Sequence, residues 1–257
     1  MPTLLLIRHG RTTANTSGVL AGWSPGVGLD DTGRAQAATL AHRLAAVELA
    51  RIVVSPLQRC QETLAPVLAE PARIVTRTPS GRERVRAAPR PEPVVDERVG
   101  ECRYGDWTGR PLKDLAREPL WAVVQAHPSA VTFPGGESLP DMQARMLAAV
   151  RDHDAQVRRS HGDDAVWALV SHGDPIKSVL ADALGMHLDA FQRVVVDPAS
   201  VSAVRYQPLR PFVLRVNDTG GDLAALAPPP RKPRRRPTHS SAASSDAPVG
   251  GGAGAHP

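Results

Sequence analysis

The sequence predicts an α/β protein whose sheet is covered by helices on both faces. Three observations carry this. Strand-length apolar runs alternate with stretches of helical periodicity along the chain. The runs TLLLI (3–7), RIVVS (51–55) and AVWALVS (165–171) are nearly continuous in apolar residues, as strands buried on both faces are. A chain of 257 residues, 42% of them hydrophobic, is long enough for one sizeable core.

Taken in order, TLLLI is the first buried strand. Thr32 to Ala46 has helical spacing, with Thr32 as the expected N-cap. RIVVS is a strand, Leu57 to Leu68 a helix, and RIVT (73–76) a short strand. Residues 76–96 are rich in proline and arginine and read as an irregular surface loop, placed to rim a site. Ser138 to about Arg159 is a long amphipathic helix, with Ser138 as its cap and Asp141 in its first turn. AVWALVS is a strand. Pro175 to Leu184 is a helix, with Pro175 near its first position and Gly185 at its end. Val201 to Tyr206 and Phe212 to Val216 are closing strands. Residues 1–226 form the expected domain. From Ala227 the chain turns to Pro, Arg, Ser, Ala and Gly without apolar periodicity, so 227–257 is expected to be a disordered basic tail.

Charge follows the same division. The net charge is +5, but the tail holds five basic side chains against Asp246 alone. The preceding body carries 26 basic and 25 acidic side chains, which argues against nucleic acid as a partner. No apolar run approaches the ~18 residues that span a bilayer, so no membrane partner and a cytoplasmic setting are expected. Two cysteines, Cys60 and Cys102, make no disulfide framework. The composition sets no oligomeric state.

Three strands end in polar clusters. TLLLI runs into Arg8-His9-Gly10, RIVV into Ser55-Pro56 with Arg59 just inside the next helix, and AVWALV into Ser171-His172-Gly173. In open α/β sheets the ligand crevice lies beyond the carboxyl ends of the strands, so the three clusters can share one pocket. Arginine forks match phosphate oxygens, and helix starts after Pro56 and Gly173 add amide donors for an anion. Gly10 and Gly173 are expected to let backbone approach the ligand. A neutral imidazole in such a site is a nucleophile for phosphorus. No acidic run resembles a magnesium site, so no metal or other cofactor is expected. His42, His127, His153, His161 and His187 read as background without partners. Trp107 reads as packing, and Asp174 as a helix first-turn acid.

The segments RHGRTTAN (8–15), SPLQRCQET (55–63), GECRYGDWTG (100–109) and SHGDPIKSVL (171–180) resemble, in order, the four signatures of the histidine phosphatase superfamily, phosphoglycerate mutase-like branch. The resemblance spans about residues 3–216. It implies a three-layer α/β/α sandwich with a mostly parallel central sheet and a phosphohistidine mechanism on a small phosphorylated substrate. It makes His9 the nucleophile. Arg8, Arg59 and His172 would hold the phosphoryl oxygens, and Glu101 would be the general acid and base. Asn15 and Gly173 would be further phosphate contacts, Gly22 would border the pocket, and Thr12 and Ser171 would support it. Thr108 stands where many relatives have Glu, and Arg11 where mutases usually have an acid. The segment 112–138 lacks the basic, Trp-Arg-rich patch of cofactor-dependent mutases. These departures favour a phosphomonoester hydrolase. A phosphomutase and a catalytically silent phosphate-binding protein with a partner-docking tail are the alternatives. Residues 76–96 and 112–136 are expected to line the specificity pocket.

Overall fold

The computed structural model describes residues 1–78 and 81–220. The expected tail lies outside the described residues. In chain order the elements are β1 (Thr3–Arg8), α1 (Thr13–Ser17), α2 (Asp31–Leu44), β2 (Leu49–Val54), α3 (Gln58–Ala69), β3 (Ala72–Arg77), β4 (Glu83–Ala88) and β5 (Val94–Val95). Then follow α4 (Leu112–Leu115), α5 (Pro119–Ala126), α6 (Leu139–His161), β6 (Val166–Ser171), α7 (Gly173–Ala183), β7 (Val201–Tyr206) and β8 (Pro211–Asp218). Six strands form the central sheet in the order β5-β2-β6-β1-β7-β8. The first four are parallel; β7 runs antiparallel to β1, and β8 antiparallel to β7.

The near-continuous apolar strands are explained by two covered faces. Along β1, Leu4 and Leu6 pack with Met146, Val150 and Val157 of α6 and Ile176, Val179 and Leu180 of α7. Leu5 and Ile7 point the other way, to Leu40 and Leu44 of α2 and Cys60, Leu64 and Val67 of α3. Side chains alternate across a strand, so one continuous run serves both layers. A third apolar cluster lies above the sheet's end. Tyr104, Trp107, Val124, Val131 and Phe133 pack there on Leu139, Met142 and Phe191.

Three local expectations need correcting. First, the N-cap of α2 is Asp30, not Thr32. The Asp30 side chain accepts the Gly33 N–H at 2.7 Å, while Thr32 Oγ1 accepts from Arg11 at 2.6 Å. Second, α7 begins at Gly173 with His172 as its extended N-cap, so Pro175 is the third residue. Proline is tolerated there because first-turn amides have no intrahelical acceptor. Third, residues 76–96 are not one irregular loop. β3 and β4 pair antiparallel as a separate two-stranded sheet, from Ala72↔Ala88 to Arg77↔Glu83, and β5 joins the main sheet beside β2. Ser138 caps α6 as expected, accepting the Asp141 N–H at 3.0 Å.

Candidate active site

Sheet register brings the three polar clusters level. Arg8 pairs with Ser171 across β1 and β6, and His9 N–H donates to Ser171 O at 3.0 Å. Ser55 N–H donates to Val170 O at 3.0 Å from the other side. The His9 and His172 rings therefore lie 5.2 Å apart between centroids. His9, Arg59 and His172 are buried, and His9 and Arg59 border a cavity of about 380 Å³ with Arg8, Glu101, Asn15, Gly22 and Gly173.

The hydrogen bonds fix both imidazoles. His9 Nδ1 is 2.7 Å from Gly10 O, which can only accept, so Nδ1 carries the proton and Nε2 keeps its lone pair. Burial, then Arg59 and Arg8, hold the His9 pKa well below its ordinary value, which keeps the ring neutral. His172 Nδ1 accepts from Arg59 Nε at 3.2 Å, so its Nε2–H donates to Ser55 Oγ at 2.8 Å. Burial and Arg59 also lower the His172 pKa. The Arg59 Nη2 group donates to Gly22 O at 2.8 Å. The guanidinium is thus held on two sides and keeps Nη1 for a ligand. Arg8 donates from Nη1 to Val196 O at 2.6 Å, and its buried Nε has no hydrogen-bond partner. An unpartnered buried cationic donor costs free energy until an anion meets it.

Glu101 is half-buried and lines the same cavity, and its Oε1 accepts the Cys102 N–H at 2.8 Å. Burial first, then the charge of Asp174, pushes its pKa up to about 7. Asp174 is therefore more than a helix-start acid. It accepts from Tyr104 Oη at 2.9 Å and lies 3.7 Å from Lys177 Nζ. Asn15 uses Oδ1 in the cap of α1, accepting from Thr12 N and Oγ1, which leaves its Nδ2 for the pocket. Gly22 has φ +49°, and a Cβ there would lie 2.9 Å from Thr108 Oγ1. Thr108 thus closes over the turn that positions Arg59.

Other expectations are modified. Gly10 serves packing rather than ligand approach: a Cβ there would sit 2.8 Å from Gly33 O. Ser171 Oγ donates to Val99 O at 2.7 Å beneath the site. Trp107 packs in the third cluster but also lines the cavity. Residues 112–136 contribute Leu112, Trp121, Val124, Gln125 and Phe133 to the lining, whereas none of the described residues of 76–96 does. His153 is not without a partner: its Nε2 is 2.9 Å from Asp96 Oδ2, and His161 and His187 bond Ser160 and Asp189. The Cys60 thiol is pushed up to about 12 by burial, so it stays protonated. Among the described residues no cluster of three or more His, Cys, Asp or Glu is placed to hold a metal ion. No helix among them is long and apolar enough to cross a membrane.

Sequence reasoning missed Arg145. From α6 it donates to Arg98 O and Gly100 O, at 2.6 and 2.9 Å, and to Glu101 O at 2.8 Å. Its charge pairs with Glu137 at 2.6 Å. Trp23 Nε1 also donates to Glu101 O, at 2.6 Å. One signal was legible: Arg145 falls on the helical stripe of Met142, Met146 and Ala149, which is buried.

The chain resembles known proteins in sequence and in fold. Over 222 residues the chain is 28% identical to phosphoserine phosphatase 1 of Hydrogenobacter thermophilus, covering 85% of this chain and 93% of that one. It is 28% identical over 233 residues to the probable phosphoglycerate mutase GpmB of Yersinia enterocolitica, covering 89% and 97%. The structure of Bacillus stearothermophilus YhfR superposes with a TM-score of 0.69 at 28% identity, covering 85% and 98%. The family pattern itself matches residues 4–85 and 75–219, and the chain accordingly belongs to the histidine phosphatase superfamily (branch 1).

Proposed function

We propose that the protein hydrolyses phosphomonoesters through a phosphohistidine on His9, without a metal or other cofactor. The observation that carries this is the His9 tautomer. Nδ1–H is committed to Gly10 O, so Nε2 offers its lone pair into a cavity that the guanidinium groups of Arg8 and Arg59 line beside it. Nε2 attacks phosphorus, the N–P bond forms and the P–O ester bond breaks. The leaving oxygen takes the Glu101 proton. Water then attacks phosphorus, Glu101 takes the water's proton, the N–P bond breaks, and Nε2 recovers its lone pair. A carboxyl with a pKa of about 7 populates both forms near neutrality, as these two half-reactions require. Arg8 and Arg59 stabilise charge on the phosphoryl oxygens. His172 fixes Arg59 through Nδ1, while Asn15 and the Gly173 N–H at the start of α7 are further phosphate contacts.

The test is a panel of phosphomonoesters assayed with a chelator present. The expected result is phosphate release by the native protein and none by His9→Ala. Transfer of the phosphoryl group to an acceptor, with no net release to water, would instead establish the phosphomutase reading. Loss of activity to the chelator would overturn the metal-free reading.

A further inference from the structure

The cavity has two chemically distinct ends. One is the phosphoryl end around His9. The lining away from it carries Leu20, Trp107, Leu112, Trp121 and Phe133, with Gln125 and Gln192 as uncharged polar groups. Trp121 stacks on Trp107 with centroids 6.1 Å apart and planes 25° from parallel. Its ring is only partly buried, so aromatic surface faces the cavity. Charged groups on the lining away from His9, Arg8, Arg59 and Glu101 are Asp174 and Lys177. Lys177 is spoken for: Nζ donates to Gln192 Oε1 at 2.9 Å and sits 3.7 Å from Asp174. Asp174 also accepts from Tyr104. A second anionic group on a substrate therefore meets no unpaired cation on the lining, and its desolvation is not offset. An apolar or aromatic leaving group loses little and gains burial against Trp121.

We infer that the substrate is a phosphomonoester of an apolar, preferably aromatic, alcohol rather than a small polyanionic phosphate such as a phosphoglycerate or a phosphoamino acid. This rests on the hydrolase reading above, and the two are separable by experiment. Wild type is assayed on 1-naphthyl phosphate, phosphoserine and 3-phosphoglycerate, and binding of the same three esters to His9→Ala is measured by calorimetry. The expected kcat/KM for the naphthyl ester exceeds the other two by about ten-fold or more, and its affinity for His9→Ala follows the same order. Trp121→Ala reduces that ratio at least about five-fold, and Trp121→Phe keeps most of it. Faster turnover and tighter binding of phosphoserine or 3-phosphoglycerate would overturn the inference while leaving the hydrolase reading intact. Preferential binding of the naphthyl ester with no turnover of any ester would overturn the hydrolase reading and leave the pocket's preference standing. A ratio unchanged in Trp121→Ala would also count against the apolar wall.

Discussion

Replacing Glu101 by Gln tests the electrostatics of the site through stability alone, whatever the substrate. Glu101 is raised from 4.5 to about 7 by burial and then by Asp174. Between those values the folded chain holds a proton that the unfolded chain releases. The resulting stability is complete below about pH 4.5 and is lost as pH rises through 7. At ~1.36 kcal/mol per pKa unit the loss is roughly 3 kcal/mol. Gln does not ionise and keeps an oxygen for the Cys102 N–H, which Glu101 accepts at 2.8 Å. The assay is urea unfolding of both proteins across this range at constant ionic strength. The two are expected to match at the acid end, with Glu101→Gln more stable by up to roughly 3 kcal/mol at about pH 8.5. Its kcat is expected to fall by about 10²-fold or more, most for esters with poor leaving groups. Parallel pH profiles of stability for the two proteins would refute a raised Glu101 pKa.

Three further outcomes follow from the geometry. Arg145→Met removes the donors to Arg98, Gly100 and Glu101 carbonyls, so kcat is expected to fall about ten-fold or more, with Arg145→Lys recovering part of it. The alkaline limb of its pH–rate profile is expected to move to lower pH as Glu101 loses its fixed, buried place; an unmoved limb would make Arg145 merely structural. Gly10→Ala forces a Cβ to 2.8 Å from Gly33 O, and is expected to cost about 2 kcal/mol in urea unfolding. His9 and His172 are held neutral when folded but ionise in the unfolded chain near 6.5, so stability is expected to drop as pH falls below 6.5. His172→Gln is expected to weaken that acid dependence, as read by denaturant titrations.

The main sheet and the polar strand ends were legible because burial on both faces leaves strands no room for polar residues until they emerge. Arg8, His9, Ser55 and His172 stand at those points of emergence. β4 was not legible: all of its residues except Ala88 are exposed, so ERVRAA carries no apolar alternation. Only its pairing with β3 defines it. The α2 cap was misplaced because Asp30 and Thr32 are both capping types, and Arg11 occupies the threonine's oxygen. His153 read as background and Arg145 was missed because their partners, Asp96 and the carbonyls at 98–101, are distant in the chain. The raised Glu101 pKa comes from burial first and then from Asp174, 73 positions away, and no local pattern shows either.

In the proposed reaction His9 carries the phosphoryl group. The most direct measurement is rapid alkaline quenching of the protein during turnover of a phosphorus-labelled ester, followed by peptide mapping. Label is expected on the peptide holding His9, lost to water when turnover is allowed to continue, and absent in His9→Ala. Steady hydrolysis with no labelled peptide at any quench time, or label persisting in His9→Ala, would contradict it.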